Sequence, residues 1–353
     1  MSAAQPQHTS PELALTPVDD AAQARHRWQT LLSQAISSPQ ALLEQLQLPL
    51  SLLEGAQAAH QDFALKVPAP YLSRIKVGDV NDPLLKQVLP LGKELTPVAG
   101  FNQDPLEEKH ANPLQGLVHK YHGRILLILS GACAINCRYC FRRHFPYQEN
   151  QLGKAQWQAI LDYIRADESI TEVIFSGGDP LATADKRLAG FIKDLSNIAH
   201  LKRLRIHTRL PVVIPQRVTD ELLTMLKGTD LATTMVLHIN HAQEIDGSVK
   251  AVVSQLKEAK VTVLNQAVLL KGINDTLDAQ INLSGQLFDA GILPYYLFTL
   301  DPVAGASHFD VDDSDAIELH QALQTRLPGY LVPRLAREIP GRGSKTLLPD
   351  ALS

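Results

Sequence analysis

Aromatic residues make up only 5% of the 353-residue chain, and cysteine occurs three times. With a formal net charge of −4 there is no basic field for a phosphate backbone and few rings for bases to stack on. Nucleic acid is therefore not an expected partner. No apolar run is long enough to cross a bilayer, and the opening "MSAAQPQHTSPELALTPVDD" lacks the cationic start and apolar stretch of a secretory signal. A soluble, cytoplasmic protein without a membrane partner is expected. Cysteine usage excludes a disulfide framework, because the thiols are odd in number and crowd into one window from Cys133 to Cys140. What is abundant is apolar side chain, 45% of the chain, enough for a large core.

Residues 1–20 mix Pro, Ser, Gln and Asp without apolar periodicity and are expected to be disordered. From "ARHRWQTLLSQAISSPQALLEQLQL" onward apolar residues recur at helical spacing, which predicts a helical N-terminal region over 21–110. The polar stretch "FNQDPLEEKHANPLQG" marks its end. Beyond it, β-branched or apolar runs alternate with longer amphipathic segments. The runs are "RILLILS" (124–130), "EVIFSGG" (172–178), "RLRIHTR" (203–209), "TMVLHIN" (234–240), "TVLNQAVLL" (262–270) and "LPYYLFTL" (293–300). Six strands separated by crossover lengths predict an α/β core, a partial (β/α)6 barrel over 111–300, followed by a short C-terminal segment over 301–353. In such sheets ligands gather at the carboxyl ends of the strands.

Those ends are polar and rich in glycine. The cysteine loop "GACAINCRYCFRRHFPY" follows the first strand, "SGGDP" ends the second, "HTRLP" the third, "HINH" the fourth and "TLDPV" the sixth. Three thiolates at Cys133, Cys137 and Cys140 fit a tetrahedral zinc with His144 as fourth ligand. They equally fit three irons of a four-iron cluster whose last iron stays open. Gly177 and Gly178 would let a ligand approach the backbone, and the plain alternative for "SGGDP" is a strand-ending turn. "GRGSKT" is not a nucleotide-binding P-loop, since Ser344 stands where glycine must precede the lysine.

Cys-x3-Cys-x2-Cys after the first strand of a βα barrel resembles the radical S-adenosylmethionine superfamily. "CRYCFRRHF", "FSGGDP", "RLPVVIPQRVT", "HINHAQE", "NQAVLLKGIND" and "PYYLFTLD" together resemble the lysine 2,3-aminomutase family across roughly residues 100–350. "GLVHKYHGRILLILSGACAINCRYCFRRHFPY" and "GYLVPRLAREIPGRGSKT" are similar to the branch of that family associated with elongation factor P. The chain ends soon after Lys345, whereas clostridial-type members carry a longer tail.

The resemblance implies an isomerase that moves the α-amino group of L-lysine to the β-carbon. It implies a [4Fe-4S] cluster on Cys133, Cys137 and Cys140, with S-adenosylmethionine chelating the open iron as a radical source. Ser176, Gly177, Gly178 and Asp179 would hold that ligand, with His238 and Asn240 nearby, and Lys345 would carry pyridoxal 5'-phosphate as a Schiff base. Tyr121, Arg124 and Arg209 are candidates for the pyridoxal phosphate end. Arg142 would pair with the substrate carboxylate, and Asp301 and Glu338 with its terminal ammonium, although clostridial-type sequences have aspartate at the second position. A flavodoxin or ferredoxin as reductant, and elongation factor P with its lysyl ligase, are the implied partners. A radical enzyme acting on another amino acid or a peptide, and a zinc-stabilised module, are the competing classes.

Overall fold

The computed structural model describes residues 27–150 and 152–348, so the expectation for residues 1–20 lies outside the described residues. Among the described residues one nine-stranded sheet runs in strict sequence order. It opens with β1 (Leu117–Tyr121) and β2 (Arg124–Ser130), an antiparallel hairpin turned at His122 and Gly123, where Gly123 takes a φ of +76° that a side chain would resist. The next strands are β3 (Glu172–Gly177), β4 (Arg203–Thr208), β5 (Ala232–His238), β6 (Thr262–Val268) and β7 (Leu293–Phe298). From β2 to β7 every pairing is parallel, as the six apolar runs predict.

The sheet then goes further than those six strands. β8 (Arg334–Arg337) pairs in parallel with β7, and β9 (Thr346–Leu347) folds back antiparallel on β8. The C-terminal segment is thus part of the sheet, and its hairpin carries Glu338 and Lys345 to the same rim as the other strand ends.

Crossover helices α1 (Lys154–Ala166), α2 (Asp185–Ser196), α3 (Asp220–Lys227), α4 (Gly247–Glu258), α5 (Leu277–Asp289) and α6 (Asp313–Arg326) separate the parallel strands. Their apolar stripes dictate the packing. In α1 the buried residues are Trp157, Ile160, Leu161 and Ile164, in α2 Leu188, Phe191, Ile192 and Leu195, both at the i, i+3, i+4, i+7 spacing of one helical face. Trp157 meets Phe191 with ring centroids 4.3 Å apart, tying the two helices together. Each such side chain contributes about 1.5–3 kcal/mol on burial. Starts are fixed by polar caps: Thr219 accepts from Leu222 N and Asp246 from Val249 N.

The N-terminal region contains helices Pro39–Gln45 and Leu53–Asp62 followed by shorter turns. It shares one hydrophobic core with the barrel, running from Trp28 to Leu335, and lies behind the cysteine loop. Asn136 donates to Ala64 O at 2.8 Å and Arg138 to Phe63 O at 2.6 Å. Among the described residues no helix is long and apolar enough to cross a membrane.

Candidate active site

The C-terminal strand ends enclose a cavity of about 840 Å³. Its wall holds Cys133, Cys137 and Cys140 at one part and Asp301, Glu338 and Lys345 at another. Residues more than two hundred positions apart in the chain meet there because the sheet curls in sequence order.

The cysteine loop is held from behind rather than by its thiols. Arg138, fully buried, donates through Nε and Nη2 to both oxygens of Glu94, and Arg143 reaches the same carboxylate at 3.1 Å. Lys66 donates to the carbonyl of Cys133 at 2.8 Å. The arginines of "CRYCFRR" at 138 and 143 are therefore fixtures, which frees the thiols to face the cavity. Burial, then Cys137 beside it, pushes the Cys140 thiol up to about 11, and burial and Cys140 likewise raise Cys133. Thiols so placed lose their protons only to a strongly positive centre. Among the described residues no three His, Cys, Asp or Glu side chains converge on a single ion. The zinc set also lacks its expected fourth ligand. His144 turns instead toward the carbonyl of Ala304, 3.4 Å away. Three thiols in one cavity wall suit a cluster, in which each binds a different iron.

At the far part of the cavity, charges alternate. Arg142 donates through Nε and Nη2 to the two oxygens of Glu108, both at 2.7 Å, and through Nη1 to Ser176 Oγ at 3.1 Å. Lys120 stands 4.0 Å from Glu108 and donates to Glu338 at 2.9 Å. The other oxygen of Glu338 accepts from Lys345 at 2.7 Å, whose ammonium also lies 4.6 Å from the centre of the Phe298 ring. Against the upward push of burial, Lys345 and Lys120 pull the Glu338 carboxyl down to about 2. Asp301 has the opposite fate: burial, then the neighbouring Glu338, pushes it up to about 7. Tyr121 and Arg124 stack at 4.6 Å in the same wall, and burial and Glu338 hold the Tyr121 phenol well above its usual range.

The radical SAM superfamily model matches residues 127–277. The L-lysine 2,3-aminomutase of Haemophilus influenzae is 52% identical over 340 residues, covering 96% of this chain and all of that protein. The chain belongs to the lysine 2,3-aminomutase family. The Escherichia coli protein of the same name is 48% identical over 92% of this chain and 95% of its own length. That of Clostridium subterminale is 34% identical over 93% of this chain and 79% of its own.

For the aminomutase family's cofactors the wall offers matching chemistry. The thiols form a donor set for iron and sulfur, and Lys345 is a primary amine inside the cavity. His207, in the same wall, has Nε2 buried without a partner among the described residues, as expected where a polar molecule is to bind. Burial, then Arg205 and Lys345, keeps that imidazole neutral.

Three of the expected site residues are bonded within the protein, and two of them, Asp179 and Arg209, line the cavity as well. Asp179 accepts from Leu181 N and Thr208 Oγ1 with one oxygen and from Arg209 N and Leu210 N with the other. With four hydrogen bonds accepted, its carboxylate fixes the β4 end. Asn240 is fully buried and outside the cavity wall; its amide nitrogen donates to Gln87 and Tyr139 and its oxygen accepts from Val268 N. Arg209, a candidate for the pyridoxal end, points to the cysteine loop instead, drawn there by Glu244 and Gln87 at 2.7 Å each. Gly177 and Gly178 line the cavity, yet a Cβ on either would strike the backbone of Ser130 or Ala132 within 2.7 Å. Their small size seats β3 against the cysteine loop.

Ser176 and His238 line the cavity; burial, then Arg209, lowers His238 to about 3, and its Nε2 lies 2.9 Å from the Tyr139 hydroxyl. Glu108 and Lys120 escaped the sequence reading. The first lies in a stretch read as a boundary, and the second in a strand of mixed polarity.

Proposed function

We propose that the chain converts L-lysine to β-lysine by moving the amino group from C2 to C3. The observation that carries this reading is the meeting of Cys133, Cys137 and Cys140 with Arg142, Asp301, Glu338 and Lys345 around one cavity. When bound, the cluster with S-adenosylmethionine supplies a carbon radical able to take a hydrogen atom, and pyridoxal phosphate supplies the π-system across which nitrogen migrates.

The chain's own residues bind and orient. Cys133, Cys137 and Cys140 would hold the cluster, and Ser176, the Gly177–Gly178 backbone and His238, in the same wall, would hold S-adenosylmethionine. Lys345 carries pyridoxal phosphate, and Tyr121 and Arg124 serve its phosphate. Arg142, whose Nε and Nη2 are engaged by Glu108 and whose Nη1 donates to Ser176 and to the Gly177 carbonyl, would meet the substrate carboxylate through its remaining Nη2 N–H or by exchanging the Glu108 contact. Asp301 and Glu338 would face the terminal ammonium, Glu338 offering it the oxygen that now accepts from Lys345.

A flavodoxin or ferredoxin in the cytoplasm delivers the electron, and the β-lysine is consumed by the lysyl ligase that modifies elongation factor P. The organisation by residue range is a helical N-terminal region over 21–110, the barrel over 111–300, and the segment bearing Lys345 over 301–353. Anaerobic incubation of the reconstituted protein with S-adenosylmethionine, reductant and L-lysine tests the reading. β-Lysine is the expected product, and lysine recovered unchanged beside cleaved S-adenosylmethionine would contradict it.

A further inference from the structure

Arg209 has surroundings that lysine chemistry does not explain. It follows β4, and its backbone nitrogen is fixed by Asp179 at 2.8 Å. Nη1 donates to the sulfur of Cys137 and to the Tyr139 hydroxyl, both at 2.7 Å. Nη2 donates at 2.7 Å to Glu244, a fully buried carboxylate, and at 2.7 Å to Gln87. Glu244 is itself held by the backbone nitrogens of Asn240 and His241 at 2.9 and 3.1 Å. Five elements far apart in sequence thus converge to aim one guanidinium at one cysteine sulfur.

A donor fixed on a ligand sulfur favours whichever redox state carries more negative charge there, and hydrogen bonds to sulfur are among the main levers on cluster potentials. In a buried site the leverage is large, since little water screens it. Glu244 balances the charge of the arginine from the Nη2 side, so the cation can be buried while its Nη1–H dipole stays directed at sulfur.

We propose that Arg209 is a positioning residue for electron transfer: its donation to Cys137 raises the reduction potential of the cluster that this thiolate holds. In the step it assists, an external one-electron reductant gives one electron to the cluster, which is the oxidant, and no bond or proton is exchanged at Arg209. The inference rests on the cluster reading of the proposed function.

The test is a reductive titration of the iron-loaded full chain followed by electron paramagnetic resonance, with iron and sulfide assayed in parallel. Arg209→Gln combined with Glu244→Gln removes both charges together and so leaves no unpaired buried ion; Arg209→Lys keeps a cation without the planar fork. The double variant is expected to retain iron and sulfide and to show at least a tenfold fall in the reduced-to-oxidised ratio at fixed ambient potential, equivalent to about 59 mV. Arg209→Lys is expected to lie between it and the parent. Full iron with an unshifted potential in either variant would overturn the proposal; if the double variant loses its cluster, the lysine variant decides alone. A parent protein that takes up no iron would instead overturn the cluster reading itself.

Discussion

Glu338 and Lys345 face each other across the β8–β9 hairpin, with Oε2 2.7 Å from Nζ. The same carboxylate takes Lys120 at 2.9 Å, so the anion assigned to the substrate's terminal ammonium is shared between two cations of the chain. Under the proposed function, Glu338 would be released when Lys345 binds its cofactor. Lys345→Ala is therefore expected to abolish turnover and the absorbance of a bound pyridoxal, yet keep the iron chromophore. Iron assay and a visible spectrum check both halves.

Cys137→Ala is expected to lose cluster and S-adenosylmethionine cleavage while the sheet stays folded. The loop is anchored by Arg138 and Arg143 on Glu94 and by Asn136, none of which uses a thiol. Iron content, cleavage product and circular dichroism provide the comparison.

Asp301 gives a pH dependence with a defined sign. Its carboxyl is pushed up to about 7 by burial and by Glu338. Binding of a cation wants the ionised form, so kcat/KM for lysine is expected to rise as pH increases through about 7 and then level off. Folding stability moves the other way: the folded state keeps a proton that the unfolded chain sheds near its ordinary pKa of about 3.9, so this contribution falls between about pH 4 and 7 and is flat above. Asp301→Asn is expected to remove both effects and to raise the lysine concentration needed for turnover, roughly a hundredfold or more if the substrate ammonium loses a buried partner. Steady-state profiles and urea titrations across this range check the two signs.

Glu94→Gln should destabilise by about 3–5 kcal/mol, because the Glu94 and Arg138 side chains are wholly buried and the change leaves Arg138 without a carboxylate, whereas Arg143 keeps Asp62 at 3.1 Å. Chemical denaturation measures it, and faster loss of iron is expected alongside.

The six parallel strands were legible because each is a β-branched or apolar run bounded by turn residues and spaced by a helix. β8 was not, since "RLAR" is four residues with arginine at both ends, and β9 is only two residues long. Cysteine spacing and the lysine of "GRGSKT" drew attention to loops that meet at one cavity because those motifs are local. Glu108 and Lys120 had no such signal, their partners standing 34 and 218 residues away. Asp179, Asn240 and Arg209 expose a different limit of sequence. A position at a strand end tells which rim a residue occupies, not which groups of the protein its side chain is already bonded to: Asp179 and Arg209 line the cavity, yet both are engaged by neighbouring residues.

The central claim is an intramolecular shift of nitrogen on lysine. It is tested most directly by mixing unlabelled L-lysine with L-lysine carrying 15N at the α-amino group and 13C at C2, then resolving the β-lysine by mass. The account predicts that 15N and 13C stay together in one molecule, with the nitrogen now on C3. Product in which the labels have separated, or no β-lysine from protein that holds both its iron and its pyridoxal, would contradict it.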